Sequence, residues 1–358
     1  MDGEVKGRGA LSNPQGRFAR AQREPDADAL AAEAAEVAAL PKLPTHRHID
    51  NARSIITRNR SPDLPFSQSI NPYRGCEHGC IYCYARPTHA YLDLSPGQDF
   101  ETELYYKPNA RDLLRAELAA PRYTVSPIAL GTNTDPYQPI ERDLRVTRGI
   151  LELLLELRHP LTIVTKGTLI LRDLDLLAEL AKHELVAVNV SLTTLDNELK
   201  RRMEPRTAGP QQRLNMVGEL ASHGIPTGVL VAPIIPGLND NELEQLLEAT
   251  AQRGACSAGY VLLRLPHEVE SLFGEWLRHH YPERAAHVES LLRQMRGGTL
   301  DDPAFYSRQR GSGPFAELLK ARFERARRAC HLVREVSLCT SLFIPLRESA
   351  SQLELWPA

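Results

Sequence analysis

The chain has 358 residues, 42% apolar and 25% charged, with 43 Lys and Arg against 45 Asp and Glu for a formal net charge of -2. That length suits one large α/β barrel or two ordinary domains, and the near-neutral balance excludes a general electrostatic attraction to nucleic acid or membranes. The longest apolar runs, such as "VLVAPII", are too short to span a bilayer, and the N-terminus has no apolar signal core. Asp2, Glu4, Glu24, Asp26 and Asp28 argue against a transit peptide. The expected compartment is the cytoplasm, where thiols stay reduced, and no membrane partner is expected.

Residues 1–45 are Ala-rich, charged and poor in large apolar side chains, which predicts a flexible, loosely attached extension. Within it, "ADALAAEAAEVAAL" has helical composition. "FSQSINPY" (66–73) reads as a first strand, and "NARDLLRAELAA" (109–120) has helical periodicity. "SPIALGTNT" (126–134) is the next strand, followed by the Leu-rich helix "DLRVTRGILELLLELR". "LTIVTKG" (161–167) and "LVAVNVSLTT" (185–194) are strands, each followed by a helix-like run. The second of those helices ends on Gly224, a common helix stop. "PTGVLVAPIIPG" (226–237) is a strand; the helix after it has Asp240 where an N-cap belongs. "AGYVLLRLP" (258–266) is the sixth strand.

Continuous apolar strands separated by amphipathic helices imply a parallel sheet covered on both faces. Six βα units without a Gly-rich dinucleotide turn predict an α/β fold, a partial (β/α)6 TIM-like barrel, over residues 46–266. Residues 267–334 read as a helical extension, basic between 276 and 334 with twelve Lys or Arg against six Asp or Glu. In the tail (335–358), "SLCTSLFIPL" reads as a strand or capping segment.

Three of the six cysteines, Cys76, Cys80 and Cys83, fall within "RGCEHGCIYCYARPTH" (74–89) at the spacing C-x3-C-x2-C. Soft sulfur ligands select an iron–sulfur cluster, zinc or Cu(I). Zinc would want a fourth ligand, for which His78 and His89 are available. A [4Fe–4S] cluster held by three cysteines leaves one iron open to a cofactor or substrate. This spacing, with Tyr82 just before the third cysteine, resembles the signature of the radical S-adenosylmethionine (SAM) superfamily. The resemblance implies a cluster on Cys76, Cys80 and Cys83, SAM chelated at the open iron, and reductive cleavage to a 5′-deoxyadenosyl radical that abstracts hydrogen from a substrate. It also implies a reducing partner such as flavodoxin or ferredoxin.

"TKG" (165–167), "NVSLTT" (189–194), "MEPRTAGPQQR" (203–213) and "GVLVAPII" (228–235) further resemble the spore photoproduct lyase branch, and together the likeness covers residues 66–265. It implies that Lys166 meets the SAM carboxylate, the alternative being a solvated rim lysine. Ser191 would bond the cofactor or merely cap its strand, and Ala232, Pro233 and Ile234 would meet adenine or merely form a buried strand. In "TNTDPYQPIE", Thr134, Asp135 and Glu141 stand in for the Gly-Gly-Glu segment that meets the SAM amino group, though Asp135 before Pro136 also suits a turn. Glu204 and Arg206 are read as an ion pair closing the barrel rim, with Arg206 or Arg213 otherwise near the ribose or an anionic substrate. Tyr82 and Tyr84 match tyrosines that serve hydrogen-atom return; Tyr82 is equally the aromatic that packs near SAM. In this branch a cysteine hydrogen donor follows the second strand, where this chain has "GTNTDPYQP", so a thymine-dimer lyase using that donor is not expected.

Cys256 is expected at the barrel's far end, Cys330 on an Arg-rich helix, and Cys339 is a candidate to fold back over the mouth as a radical quencher. "ARPTHAYLDLSPGQDFET" (85–102) shows no helical pattern and is expected to cover the mouth, with His89 and Asp99 as polar candidates. The substrate is expected among nucleic acids, peptides and small metabolites; Phe305, Tyr306, Phe315 and Phe323 interleaved with basic residues suggest a phosphate-contacting surface. The competing reading is a zinc-stabilised nucleic-acid-binding module without catalysis. A ferredoxin-like carrier would need a fourth cysteine near the three.

Overall fold

The computed structural model describes residues 5–19 and 43–346. Strands β1 (His46–Ile49), β2 (Ile56–Arg58), β3 (Gln68–Ile70), β4 (Tyr73–Arg74) and β5 (Glu103–Tyr106) precede helix α1 (Ala110–Leu118). Then come β6 (Ile128–Leu130), α2 (Val146–Glu156), β7 (Leu161–Thr165), α3 (Leu174–Lys182) and β8 (Val186–Ser191). Helices α4 (Asn197–Met203) and α5 (Pro210–Ser222) lead to β9 (Thr227–Ile234), α6 (Leu243–Ala251) and β10 (Ser257–Leu262). The chain continues through α7 (Glu268–His280), α8 (Pro282–Met295) and α9 (Gly313–Ala329).

The main sheet runs β10-β9-β8-β7-β6-β3-β2, parallel from β3 to β10, with β2 added antiparallel at one edge. This is the expected six-stranded parallel wall of a partial barrel. Alternation along the strands sorts its two faces. Val186, Val188 and Val190 join Leu177, Leu180, Met216, Val217 and Leu220 in the layer under the helices. On the opposite face Asn189, Gly228 and Ser257 share one rung. A Cβ on Gly228 would lie 2.5 Å from Asn189 Oδ1 and 2.6 Å from Ser257 Oγ, so a larger residue there would push both side chains aside. Helix α2 supplies Ile150, Leu151, Leu153 and Leu154, all fully buried, at the helical spacing read from the sequence.

Several expectations change. Asp240 does not cap α6, which starts after a 3-10 turn; its Oδ1 accepts a 2.7 Å bond from the Gly237 N–H instead. Asp196 is the cap that was not foreseen, accepting from Glu198 N–H at 2.7 Å and Leu199 N–H at 3.3 Å to start α4. Residues 86–92 form a 3-10 helix, with another helical turn at Asp99–Thr102, where no helix was expected. A second, small sheet in the order β1-β5-β4 lies beside them.

The N-terminal extension is not loose where it is described. Arg8, Ala10 and Leu11 are buried, and the N–H groups of Gly9 and Ala10 donate to Glu101 at 3.0 and 2.9 Å. The run "ADALAAEAAEVAAL" lies outside the described residues.

The C-terminal part spans the barrel's open seam between β10 and β2. Arg308 forks onto Asp63, in the β2–β3 connection, at 2.7 and 2.6 Å, and the Tyr306 N–H donates to the same carboxylate at 3.1 Å. At the other end of β10, Ala258 N–H donates to Leu332 O and Arg334 N–H to Cys256 O. Phe323, expected among surface aromatics, is instead 1% exposed against Tyr260, because it lies on the apolar face of α9. The tail runs beneath the barrel: Cys339 N–H donates to Glu184 O and Ile344 N–H to Leu157 O, both just before strands of the wall. Cys339 is therefore at the N-terminal ends of the strands, opposite the mouth, and cannot quench a radical there. Cys256 begins β10 at that same end, as expected. No helix among the described residues is long and apolar enough to cross a membrane.

Candidate active site

The three cysteines lie on the loop that follows β3 and β4, at the C-terminal mouth of the barrel, where barrel enzymes place their chemistry. Gly75 at φ +75° and Gly79 at φ +66° let the loop turn tightly. Bonds from Gly79 N–H to Cys76 O, Cys83 N–H to Cys80 O and Arg86 N–H to Cys83 O close it on itself. The loop is pinned from several sides, by Cys76 N–H to Phe100 O at 2.9 Å, Ile81 N–H to Met203 O at 3.0 Å and Glu77 N–H to Gln138 Oε1 at 2.9 Å. Underneath, fully buried Arg86 donates to Cys80 O, Pro96 O, Gly97 O and Glu101 Oε1. Glu101 also receives the N-terminal strap, so one buried ion pair ties residues 8–10 to the cysteine loop.

Burial pushes the Cys76 thiol well up, with the Asp135 carboxylate and the other two thiols adding to it. Burial and then Glu204 push Cys80 up to about 12, while burial raises Cys83. Other groups work the opposite way. The Asp135 N–H points at Cys76, those of Ala85 and Arg86 point at Cys83, and the positive charge of Lys166 reaches both Cys80 and Cys83. Amide donors and cations around three clustered sulfurs are what thiolate ligation of an iron–sulfur cluster needs. The donor set fits such a cluster.

Neither histidine near the loop stands as the fourth ligand that zinc would want. His78 turns to Asp135 at 3.3 Å, and His89 Nε2 meets Glu103 O at 2.9 Å beneath the loop. His89 and Asp99 do not line the mouth either; the Asp99 carboxylate accepts from Asn13 and the Ser95 N–H.

Glu204 organises the wall behind the loop. It accepts from Tyr82 Oη, from Thr193 Oγ1 at 3.1 Å and from the Arg213 guanidinium, which also donates to Ser191 O at 2.9 Å and Ala208 O at 3.0 Å. Burial alone would raise the Glu204 carboxyl, but the adjoining Arg213, with Lys166 and the Tyr82 hydroxyl, holds it at about 2. The expected Glu204–Arg206 pair is not formed: Arg206 extends to Glu77 at 2.7 Å, and Glu204 takes Arg213 because the α4–α5 turn brings it alongside. Arg213, enclosed by these partners, is not left for a ribose.

Lys166 ends β7 with its Nζ 5.8 Å from the centre of the Tyr82 ring. Ser191 ends β8 with Oγ 3.3 Å from Ala232 O, and Ile234 ends β9, 1% exposed. Thr134 and Asp135 are spent on the frame. Thr134 Oγ1 donates to Tyr73 O, and the Asp135 carboxylate accepts from Thr165 Oγ1 at 2.6 Å, Lys166 N–H at 2.7 Å and Tyr137 N–H at 2.8 Å. Burial works to raise Asp135, but His78, the Thr165 hydroxyl and the Lys166 N–H together hold the carboxyl at about 2. Glu141 is fully buried, bonded to Tyr73 Oη and, at 2.7 Å, to Arg172, away from the mouth. Tyr84 is 47% exposed, its ring 5.6 Å from the Arg264 guanidinium carbon and its hydroxyl donating to Thr132 O. The segment 85–102 packs under the loop rather than over the mouth, because Arg86, His89 and Glu101 are all buried there.

Residues 70–250 match the family model for the radical SAM superfamily. An uncharacterized protein of Mycobacterium tuberculosis is 43% identical over 233 residues, which cover 64% of this chain and 68% of that protein. The radical SAM Nalpha-GlyT isomerase of Pseudomonas phage M6 is 25% identical over 194 residues, 53% of this chain and 38% of its own. The fold is similar to that of spore photoproduct lyase complexed with dinucleoside spore photoproduct, with a TM-score of 0.54 at 14% identity over 79% of this chain and 78% of that one. A family model spanning half the chain, laid over a six-stranded parallel wall with three cysteines at its mouth, makes this protein a member of the radical SAM superfamily, whose enzymes use a [4Fe–4S] cluster and SAM.

Proposed function

We propose that Cys76, Cys80 and Cys83 hold three irons of a [4Fe–4S] cluster and that the protein reductively cleaves SAM at the fourth. The single observation that carries this is the loop itself: three clustered sulfurs at the barrel mouth, approached by the N–H groups of Asp135, Ala85 and Arg86. When bound, the cluster supplies the electron that breaks the SAM sulfonium bond, giving a 5′-deoxyadenosyl radical that abstracts hydrogen from a substrate. The chain's own residues position and shield. Lys166 offers its ammonium to the SAM carboxylate, and Ser191 and Ile234 form the wall against which ribose and adenine rest. Thr134 and Asp135 hold the mouth in shape without touching the cofactor.

We assign hydrogen relay to Tyr84 rather than Tyr82, because Tyr82 is buried, whereas Tyr84 is half exposed at the mouth with its hydroxyl on the Thr132 carbonyl. Among substrate classes we favour nucleic acid. Phe305 and Tyr306 are 51% and 62% exposed, aromatic faces suited to base stacking. Enzymes of this superfamily need a reductant; a flavodoxin or ferredoxin would serve, in a reducing compartment such as the cytoplasm, where the free thiols persist.

The deciding experiment is electron paramagnetic resonance on anaerobically reconstituted, dithionite-reduced protein, with and without SAM. A reduced [4Fe–4S] signal that changes shape with SAM supports the reading. A cluster signal indifferent to SAM would replace it with electron transfer, and zinc without iron would return the cysteines to a structural role.

A further inference from the structure

Arg264 lies just beyond the end of β10, at the barrel mouth. Its guanidinium carbon is 5.6 Å from the centre of the Tyr84 ring, and Tyr84, next in the chain after Cys83, leans across to the Thr132 carbonyl beyond β6. The Arg264 side chain is part-buried. Its Nε is enclosed without a hydrogen-bond partner, whereas its two Nη groups, also without partners among the described residues, keep some of their surface.

The acids nearest to it are engaged elsewhere. Asp63 receives the fork of Arg308 and the Tyr306 N–H, and the Asp301 carboxylate accepts from the Leu265 N–H at 3.1 Å. Neither comes within ion-pairing distance of Arg264. Burial works against the Arg264 charge and the like charge of Arg308 adds to this, which Asp301 and Asp63 offset only in part. A guanidinium cannot shed its proton to escape such a position. A part-buried cation without its counterion is unfavourable, and an anion that fills the place removes the penalty. The planar fork of arginine matches phosphate oxygens. The segment that brings Arg308 up to this place also carries Phe305 and Tyr306, whose exposed rings offer faces for bases.

We propose that Arg264 anchors a phosphodiester of the nucleic acid substrate and so holds the adjoining nucleotide beside Tyr84. This rests on the nucleic-acid reading above and adds the residue that fixes the strand. The Nη groups donate to the phosphate oxygens, and the strand supplies the counterion that the protein withholds. The Tyr84 ring keeps the guanidinium at the mouth by a cation–π contact. Arg264 is a binding residue and takes no part in the cleavage of SAM.

The test is fluorescence anisotropy of a labelled short single-stranded oligothymidine, titrated with anaerobically reconstituted protein and SAM, without reductant, across a salt series. Arg264→Ala should weaken binding about tenfold, as loss of a charge-assisted bond does. It should also flatten the dependence of log K on log salt by about 0.7, the value for one phosphate contact on a single strand. Arg264→Lys should keep most of that slope and lose affinity several-fold, because a lysine cannot fork. Lys320→Ala, which removes an exposed charge from α9 on the outer face of the sheet, should change neither quantity. Thermal midpoints and the SAM-dependent paramagnetic signal report whether the mouth is intact; should the alanine variant unfold, the affinity of Arg264→Lys decides. No binding by the wild type overturns the nucleic-acid reading and this proposal with it. Wild-type binding that the Arg264 substitutions leave unchanged, or that Lys320→Ala weakens equally, overturns this proposal alone.

Discussion

A thiol as deeply buried as Cys80 carries its proton at neutral pH, so loading iron must release protons, which the charges of Lys166 and Arg213 ease. Replacing Cys76, Cys80 or Cys83 by alanine should therefore abolish both iron incorporation and 5′-deoxyadenosine release. Cys256→Ala should leave both near wild type, because that thiol contacts Thr227 O at the opposite end of the sheet. Iron and sulfide content with product release checks the two together. Glu204 acts through charge balance. Glu204→Ala leaves the Arg213 guanidinium buried without its counterion, which should cost about 3–5 kcal/mol in denaturant unfolding, with Glu204→Gln losing less. The cysteines were legible in the sequence because the spacing that matters lies inside one loop. The partner of Glu204 was not: Arg206 is nearer along the chain, and only the turn between α4 and α5 makes Arg213 nearer in space.

The strap of residues 5–19 is the element whose role composition concealed. Its contact with the cysteine loop depends on Gly9, where an added Cβ would lie 1.9 Å from the Gly79 carbonyl oxygen. Gly9→Ala should therefore lift the strap. The expected readout is faster proteolysis and amide exchange confined to residues near 9 and 79, with the global unfolding midpoint little changed, since local opening need not unfold the core. Global destabilisation without local opening would show that the strap is part of the core. Helices α1, α2 and α5 were legible from periodicity over two and a half turns or more. The sheet β1-β5-β4 was not, because strands of two to four residues are too short to carry a pattern, and their pairing joins residues 31 to 57 apart.

At the scale of the whole molecule, burial pushes His89 and His159 from their ordinary 6.5 down to about 4. Both stay neutral in the fold where the unfolded chain takes up protons. The unfolded state therefore binds more protons between about 6.5 and about 4, so stability is constant above that window and falls with pH through it. Denaturant midpoints at about pH 7.5 and about pH 5 check the sign. The parallel wall was legible, because fully buried parallel strands read as unbroken apolar runs. Its closure was not, since Asp63 and Arg308 are separated by most of the chain. Asp63→Ala should cost about 1.5–3 kcal/mol, the range for hydrogen bonds to charged groups, measured as a lowered unfolding midpoint. The seam has a further consequence. A closed ring of paired strands has a backbone rung at every join, whereas this rim is fastened at Asp63 by Arg308 and the Tyr306 N–H, contacts that belong to no rung of the sheet.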